Sequence, residues 1–141
     1  MAERLAMVTA AAFTGAAIYV GAAEQPARLH LNDTALLTHW QASYVRGFAL
    51  QASLAFASAL FGLFAFWRNG DWHWLVGAGL IFANWPYTLL MILPINKRLQ
   101  ATEPNAANQE TRELIKTWGE LHTARALFGL AATAAYLWSL S

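Results

Sequence analysis

At 141 residues, 57% of them apolar and 12% charged, with seven Trp and eight Phe, the chain is long enough for one domain but ill suited to water as its main solvent. A net charge of +1 without a long basic run gives no electrostatic footprint for nucleic acid, and the absence of cysteine removes disulfides, thiolate metal sites and thiol nucleophiles.

Residues 5–23 form an uncharged apolar run close to the roughly 20 residues that cross about 30 Å of hydrocarbon. They read as helix one, although Arg4 and Gly21-Ala22-Ala23 would also fit a signal peptide. The connection to the next run is too long for a bare loop. Within it Asp33 is a good N-cap, and Leu36, Leu37, Trp40, Tyr44, Phe48 and Gln51 recur at helical spacing, so helix two is expected to start outside the bilayer and continue into a second span at 48–67. The polar turn Arg68-Asn69-Gly70-Asp71 leads to a third span at 74–95. There Pro86 removes a backbone donor and crowds the Phe82 carbonyl, which predicts a kink that Asn84 and Thr88 are close enough to satisfy. Asn105 or Asn108 can cap a polar stretch, Glu110 to Trp118, that runs into a fourth span at 119–140. The expected fold is all-α: a single four-helix transmembrane bundle over 1–141, with helices two and four extended beyond the membrane on one side.

That polar side carries Arg28, Arg46, Lys97, Arg98, Arg112 and Lys116 against Arg4 and Arg68 on the other, an excess that assigns it, with loops one and three, to the cytoplasm. Trp67, Trp72, Trp74 and Trp138 fall at the opposite boundary, where an aromatic belt is expected. Small residues four apart (Ala11 and Gly15, Ala17 and Gly21, Ser58 and Gly62, Gly79 and Ala83) suit close helix packing within the bundle or in a homo-oligomer.

The chemistry-bearing residues gather toward the polar side. Trp118, His122, Arg125 and Gly129 share one face of helix four, and Arg125 lies about 10 Å along the axis from Gly119. A charge at such depth needs water or a partner, and Glu24, the acid at the end of helix one, is the candidate, expected to meet Arg125 or Arg46. His39, Ser43 and Arg46 form a second stripe on helix two beside Trp40 and Tyr44; Asn84, Tyr87 and Asn96 are the matching polar residues of helix three. His30 and His73 read as surface residues. The bland alternative is a structural ion pair, a solvated helix face and an architectural kink.

Read in order, Glu24-Gln25-Pro26-Ala27-Arg28, Tyr44-Val45-Arg46, Trp85-Pro86-Tyr87-Thr88, Pro94-Ile95-Asn96-Lys97-Arg98-Leu99 and Trp118-Gly119-Glu120-Leu121-His122-Thr123-Ala124-Arg125 resemble the DUF1772, or anthrone oxygenase-like, family of small membrane proteins. The resemblance implies oxidation of anthrones to anthraquinones, as for the fungal members that give the family its name. On that reading His122 or His39 removes a proton, Arg125 and Arg46 stabilise the enolate, Glu24 orients the base, and Trp118, Trp40 and Tyr44 hold the rings of a small lipophilic substrate, with no cofactor. Two rivals stay open: a metal site built from His39, His122 and Glu24, although no helix carries a metal-spaced pair of ligands, and a non-catalytic protein that binds a lipid, quinone or partner subunit in the bilayer.

Overall fold

The computed structural model describes residues 1–141 and contains helices and turns but no strand. Four helices make the bundle: α1 (Ala2–Arg28), α2 (Asp33–Asn69), α3 (Trp72–Ala101) and α4 (Gln109–Leu140). α1 packs on α2 and α4, and α3 packs on the same two, so the helices close into a ring of four. α1, α2 and α3 are each long and apolar enough to cross a membrane. In α4 alanine, threonine and Arg125 dilute the leucines, so composition alone does not mark it as a span, yet it lies between α1 and α3 in the same ring. Its outer residues Leu127, Leu130 and Leu137 are exposed, as are Val8 and Ile18 of α1, Phe56 and Leu60 of α2, and Leu75 and Leu90 of α3. Such an apolar jacket on all four helices suits hydrocarbon.

Local chemistry sets the helix ends. Asn32, not Asp33, caps α2: its side chain accepts from the Ala35 N–H at 2.9 Å, while Asp33 begins the helix and pairs with Arg112 at 2.7 Å. Gly70 closes α2 in the left-handed conformation (φ 70°), and Asp71 caps α3. The His73 N–H, and then its ring, bond to the Asp71 carboxyl and hold it below the usual carboxylate range. Of the two candidate caps for α4, Asn108 is used, in a reciprocal pair with Thr111. The 37 residues of α2 and 32 of α4 exceed what a bilayer needs, and their extensions meet at the polar end. There Leu36, Leu37, Trp40, Leu99, Ile115 and Trp118 form a core of their own, closed by Arg112 bonding the Leu29 and Leu31 carbonyls.

Two helices carry a wide turn that sequence periodicity did not indicate. α1 opens into a π turn at Val20–Glu24 and α3 into another at Thr88–Ile92, each two residues ahead of a proline, Pro26 and Pro94. A helical proline lacks an N–H and crowds the carbonyl four residues back, and widening the preceding turn relieves both. At Pro86 α3 is also irregular, with a turn at Ala83. Asn84 Nδ2 donates to the Ile81 carbonyl at 3.1 Å, not to that of Phe82.

At the opposite end Trp67, Trp72 and Trp138 are exposed, as a belt requires. Trp74 is not part of it: it is buried and stacks on Tyr136 at 5.3 Å. Tyr136 in turn donates to the Ser58 carbonyl at 3.1 Å, and Ser58 Oγ donates to the Ala6 carbonyl at 3.0 Å, so one cluster ties all four helices. The ring passes so close to α2 and α3 that a Cβ on Gly62 would lie 2.2 Å from the Tyr136 hydroxyl and one on Gly77 2.3 Å from its ring. Gly62 with Ser58 is thus a true packing pair, whereas Gly15, Gly21 and Gly79 face open space. Gly62→Ala is expected to cost about 1–3 kcal/mol by overpacking, read as a lower melting temperature in detergent; an unchanged melting temperature would remove this lock from the account.

Candidate functional site

At the level of the two π turns all four helices line one cavity. α1 supplies Val20, Glu24 and Arg28; α2 supplies Ser43, Tyr44, Gly47, Phe48 and Gln51; α3 supplies Thr88, Ile92 and Asn96; α4 supplies Trp118, His122 and Arg125. Its free space is about 40 Å³, room for a few waters.

The face read on helix four turns inward as a unit: Trp118, His122, Arg125 and Gly129 are all buried. His122, 2% exposed, stacks on Trp118 with ring centroids 4.9 Å apart. Neither ring nitrogen has a hydrogen-bond partner; the Ala17 carbonyl comes near the ring without completing a bond. Arg125, 8% exposed, makes no ion pair. Its guanidinium carbon sits 5.5 Å from the centroid of Phe13, and its Nε is buried without an acceptor. The expected pairing of Glu24 with Arg125 or Arg46 does not form. Glu24 bonds Arg28, one helical turn away, because the π turn and Pro26 carry α1 on to Arg28 and bring that pair together on one side of the helix.

Arg28 is the site residue that sequence reasoning placed in a loop. It is 3% exposed, and its guanidinium lies 5.7 Å from the Trp118 centroid, with Nε and Nη1 unpartnered. The signal for it was the Glu24–Arg28 spacing of four across a helical Pro26. Trp118 is therefore packed already by the stacked His122 ring and by the Arg28 guanidinium. Trp40 is buried behind the cavity, stacked on Tyr44 at 4.9 Å and edge-on to Trp118 at 5.7 Å, so it supports the wall and does not hold rings.

Tyr44 and Asn96 meet across the cavity: Asn96 Nδ2 donates to the Tyr44 hydroxyl at 3.1 Å, which leaves the phenolic proton free. Gln51 Oε1, Thr88 Oγ1 and Asn96 Oδ1 are buried acceptors without partners. Asn84 faces an adjoining space that also reaches Arg125. Tyr87 does not line the cavity; its hydroxyl donates to the Leu121 carbonyl at 2.9 Å and clamps α3 to α4. Arg46 is exposed, bonds the Ala42 carbonyl at 2.9 Å, and lies with Glu24 and Gln51 in a shallow outer depression between α1 and α2. His39 is exposed on the same stripe of α2 as Arg46 and lies outside the residues that line the cavity, and no three His, Asp or Glu side chains converge.

The cavity thus holds two guanidinium groups, one carboxylate and a neutral-capable imidazole. Arg125 brings one uncompensated positive charge beside the free Tyr44 hydroxyl and an unbonded histidine. Such an arrangement suits a polar or anionic group placed beside Arg125.

Comparison with known proteins points to one family. A family model described as anthrone oxygenase matches residues 40–135. The anthrone oxygenase of Claviceps purpurea (strain 20.1) is 29% identical over 141 residues, covering 90% of this chain and 81% of that protein. No solved structure matches.

Proposed function

The chain belongs to the anthrone oxygenase family, and from that premise we propose that it is a membrane-embedded oxygenase acting on a lipophilic, acidic aromatic of the anthrone type without a cofactor. The observation that carries the reading is the buried, unpaired Arg125 beside the unbonded imidazole of His122. An anthrone loses a proton from its central methylene to give an aromatic enolate. His122 takes that proton, and Arg125 with the Tyr44 hydroxyl receives the negative oxygen. The electron-rich carbanion passes one electron to dioxygen, and the resulting radical and superoxide combine at the same carbon as a hydroperoxide. Loss of water leaves the ketone, so one methylene and one dioxygen become one carbonyl and one water, with no external reductant. Arg28, neutralised by Glu24, packs its guanidinium over Trp118 and holds that wall of the cavity.

Purified protein stripped of metal is expected to accelerate oxygen uptake with anthrone and to yield anthraquinone. Activity abolished by chelator and restored by one metal would move the assignment to metal catalysis. A lipid or quinone that co-purifies in this cavity, with no oxygen uptake on any acidic aromatic, would make it a binding protein.

The same proposal places the polar end in the cytoplasm. With Arg28 buried, the basic excess rests on Arg46, Lys97, Arg98, Arg112 and Lys116. Cysteines introduced at Asn69 and Asn105 should label from opposite sides of intact cells, Asn69 from outside; labelling of Asn105 from outside overturns the orientation.

A further inference from the structure

The polar cavity has little volume, yet Arg125 opens onto a second space. Between α2 and α3 a cleft of about 40 Å³ is lined by Phe48, Ala52 and Ala55 on one side and Asn84, Trp85 and Leu89 on the other, with Arg125 at its floor. Phe48 and Thr88 are shared with the polar cavity, so the two spaces are neighbours through Arg125. Phe48, Trp85 and Leu89 are partly exposed on the apolar jacket, so the cleft's mouth faces hydrocarbon. Its width follows from local structure: α3 is irregular at Ala83 and again from Thr88 to Ile92, and the residues α2 presents there include two alanines.

We propose that this cleft is the ring-binding half of the site and its entrance from the bilayer: a fused-ring aromatic with one acidic, polar end enters between Phe48 and Trp85, that end first, until its oxygen meets Arg125. The proposal rests on reading Arg125 as the anion site but not on any oxidation. The depression between α1 and α2, lined by Glu24, Ser43, Arg46 and Gln51, is the polar route and suits water and protons. Rings entering the cleft need more space than it now has, and Phe48, 44% exposed, can swing into lipid to supply it.

The test is binding of 9-anthracenecarboxylate, a fluorescent three-ring anion, to the protein in phosphatidylcholine vesicles, with benzoate as a one-ring competitor that reaches Arg125 from water. Wild type should bind the probe, and Arg125→Gln should weaken it about tenfold or more, as loss of a charge-assisted pair implies. Ala52→Trp, which fills the cleft, should weaken the three-ring probe by a similar factor and leave benzoate unchanged. Phe48→Ala, which cannot overpack, should speed association of the probe several-fold. Equal loss of probe and benzoate in Ala52→Trp, or an unchanged association rate in Phe48→Ala, overturns the entrance. Cleft-dependent binding without oxygen uptake keeps this proposal and sinks the oxygenase; oxygen uptake that ignores both variants does the reverse.

Discussion

Arg125→Gln is expected to lower turnover of an acidic aromatic by about a hundredfold or more, the range lost when a charge-stabilising donor is removed from a buried site, while raising the melting temperature. The opposite signs follow from one observation. Arg125 is buried in the bundle with no carboxylate partner and an unbonded Nε, so the fold bears its desolvation without a compensating ion pair. An intramembrane arginine costs about 2.5–3.5 kcal/mol on insertion scales at a helix centre, and a neutral amide of similar length removes part of that. An architectural arginine behaves differently, since deleting one member of a buried pair destabilises. Arg125→Lys should recover little activity, because a compact ammonium cannot reproduce a planar fork of donors toward an enolate and the Tyr44 oxygen together. Oxygen-electrode rates and thermal melts in detergent decide it. Full activity in Arg125→Gln ends the enolate role, and a large fall in melting temperature makes Arg125 structural.

His122→Ala should lose about a hundredfold or more in rate, as for removal of a general base, with affinity for a non-reactive aromatic anion retained. The ring lies against Trp118, and both of its nitrogens are free of protein partners, so the substitution breaks no hydrogen bond. The matched control is His39→Ala. By sequence the two histidines are rival bases, and the exposure of His39 outside the cavity lining separates them: its substitution should leave rate and affinity unchanged. Activity surviving in His122→Ala but lost in His39→Ala would reverse the assignment.

Arg28 shows why part of the site was hard to read. The apolar run stops at Ala23, so Arg28 falls in the connection beyond helix one and its charge reads as a topology signal. In the folded chain α1 absorbs the proline with a π turn and continues, which buries Arg28 beside Trp118 and takes Glu24 away from the two arginines it was expected to meet. Trp74 leaves the belt for a related reason. Its position at a span boundary fits a belt, but whether a boundary tryptophan faces lipid or the core depends on helix rotation, and Tyr136 with Gly62 and Gly77 draws it inward.

What the sequence determined by itself is everything that depends on neighbours along one helix. Apolar run lengths marked the membrane class and three of the helices, the cap and amphipathic stretch before Trp118 marked the fourth, and spacings of three and four put Trp118, His122, Arg125 and Gly129 on one face, because each residue turns the helix by about 100° whatever surrounds it. Only the tertiary structure decided which face of each helix turns inward and which charges meet. On α2 the stripe of His39 and Arg46 and the stripe of Tyr44, Phe48 and Gln51 are one residue apart, both bear polar groups, and nothing local ranks them. Packing of Trp40 and Tyr44 against Trp118 and Asn96 fixes the rotation, and with it the histidine that reaches the cavity.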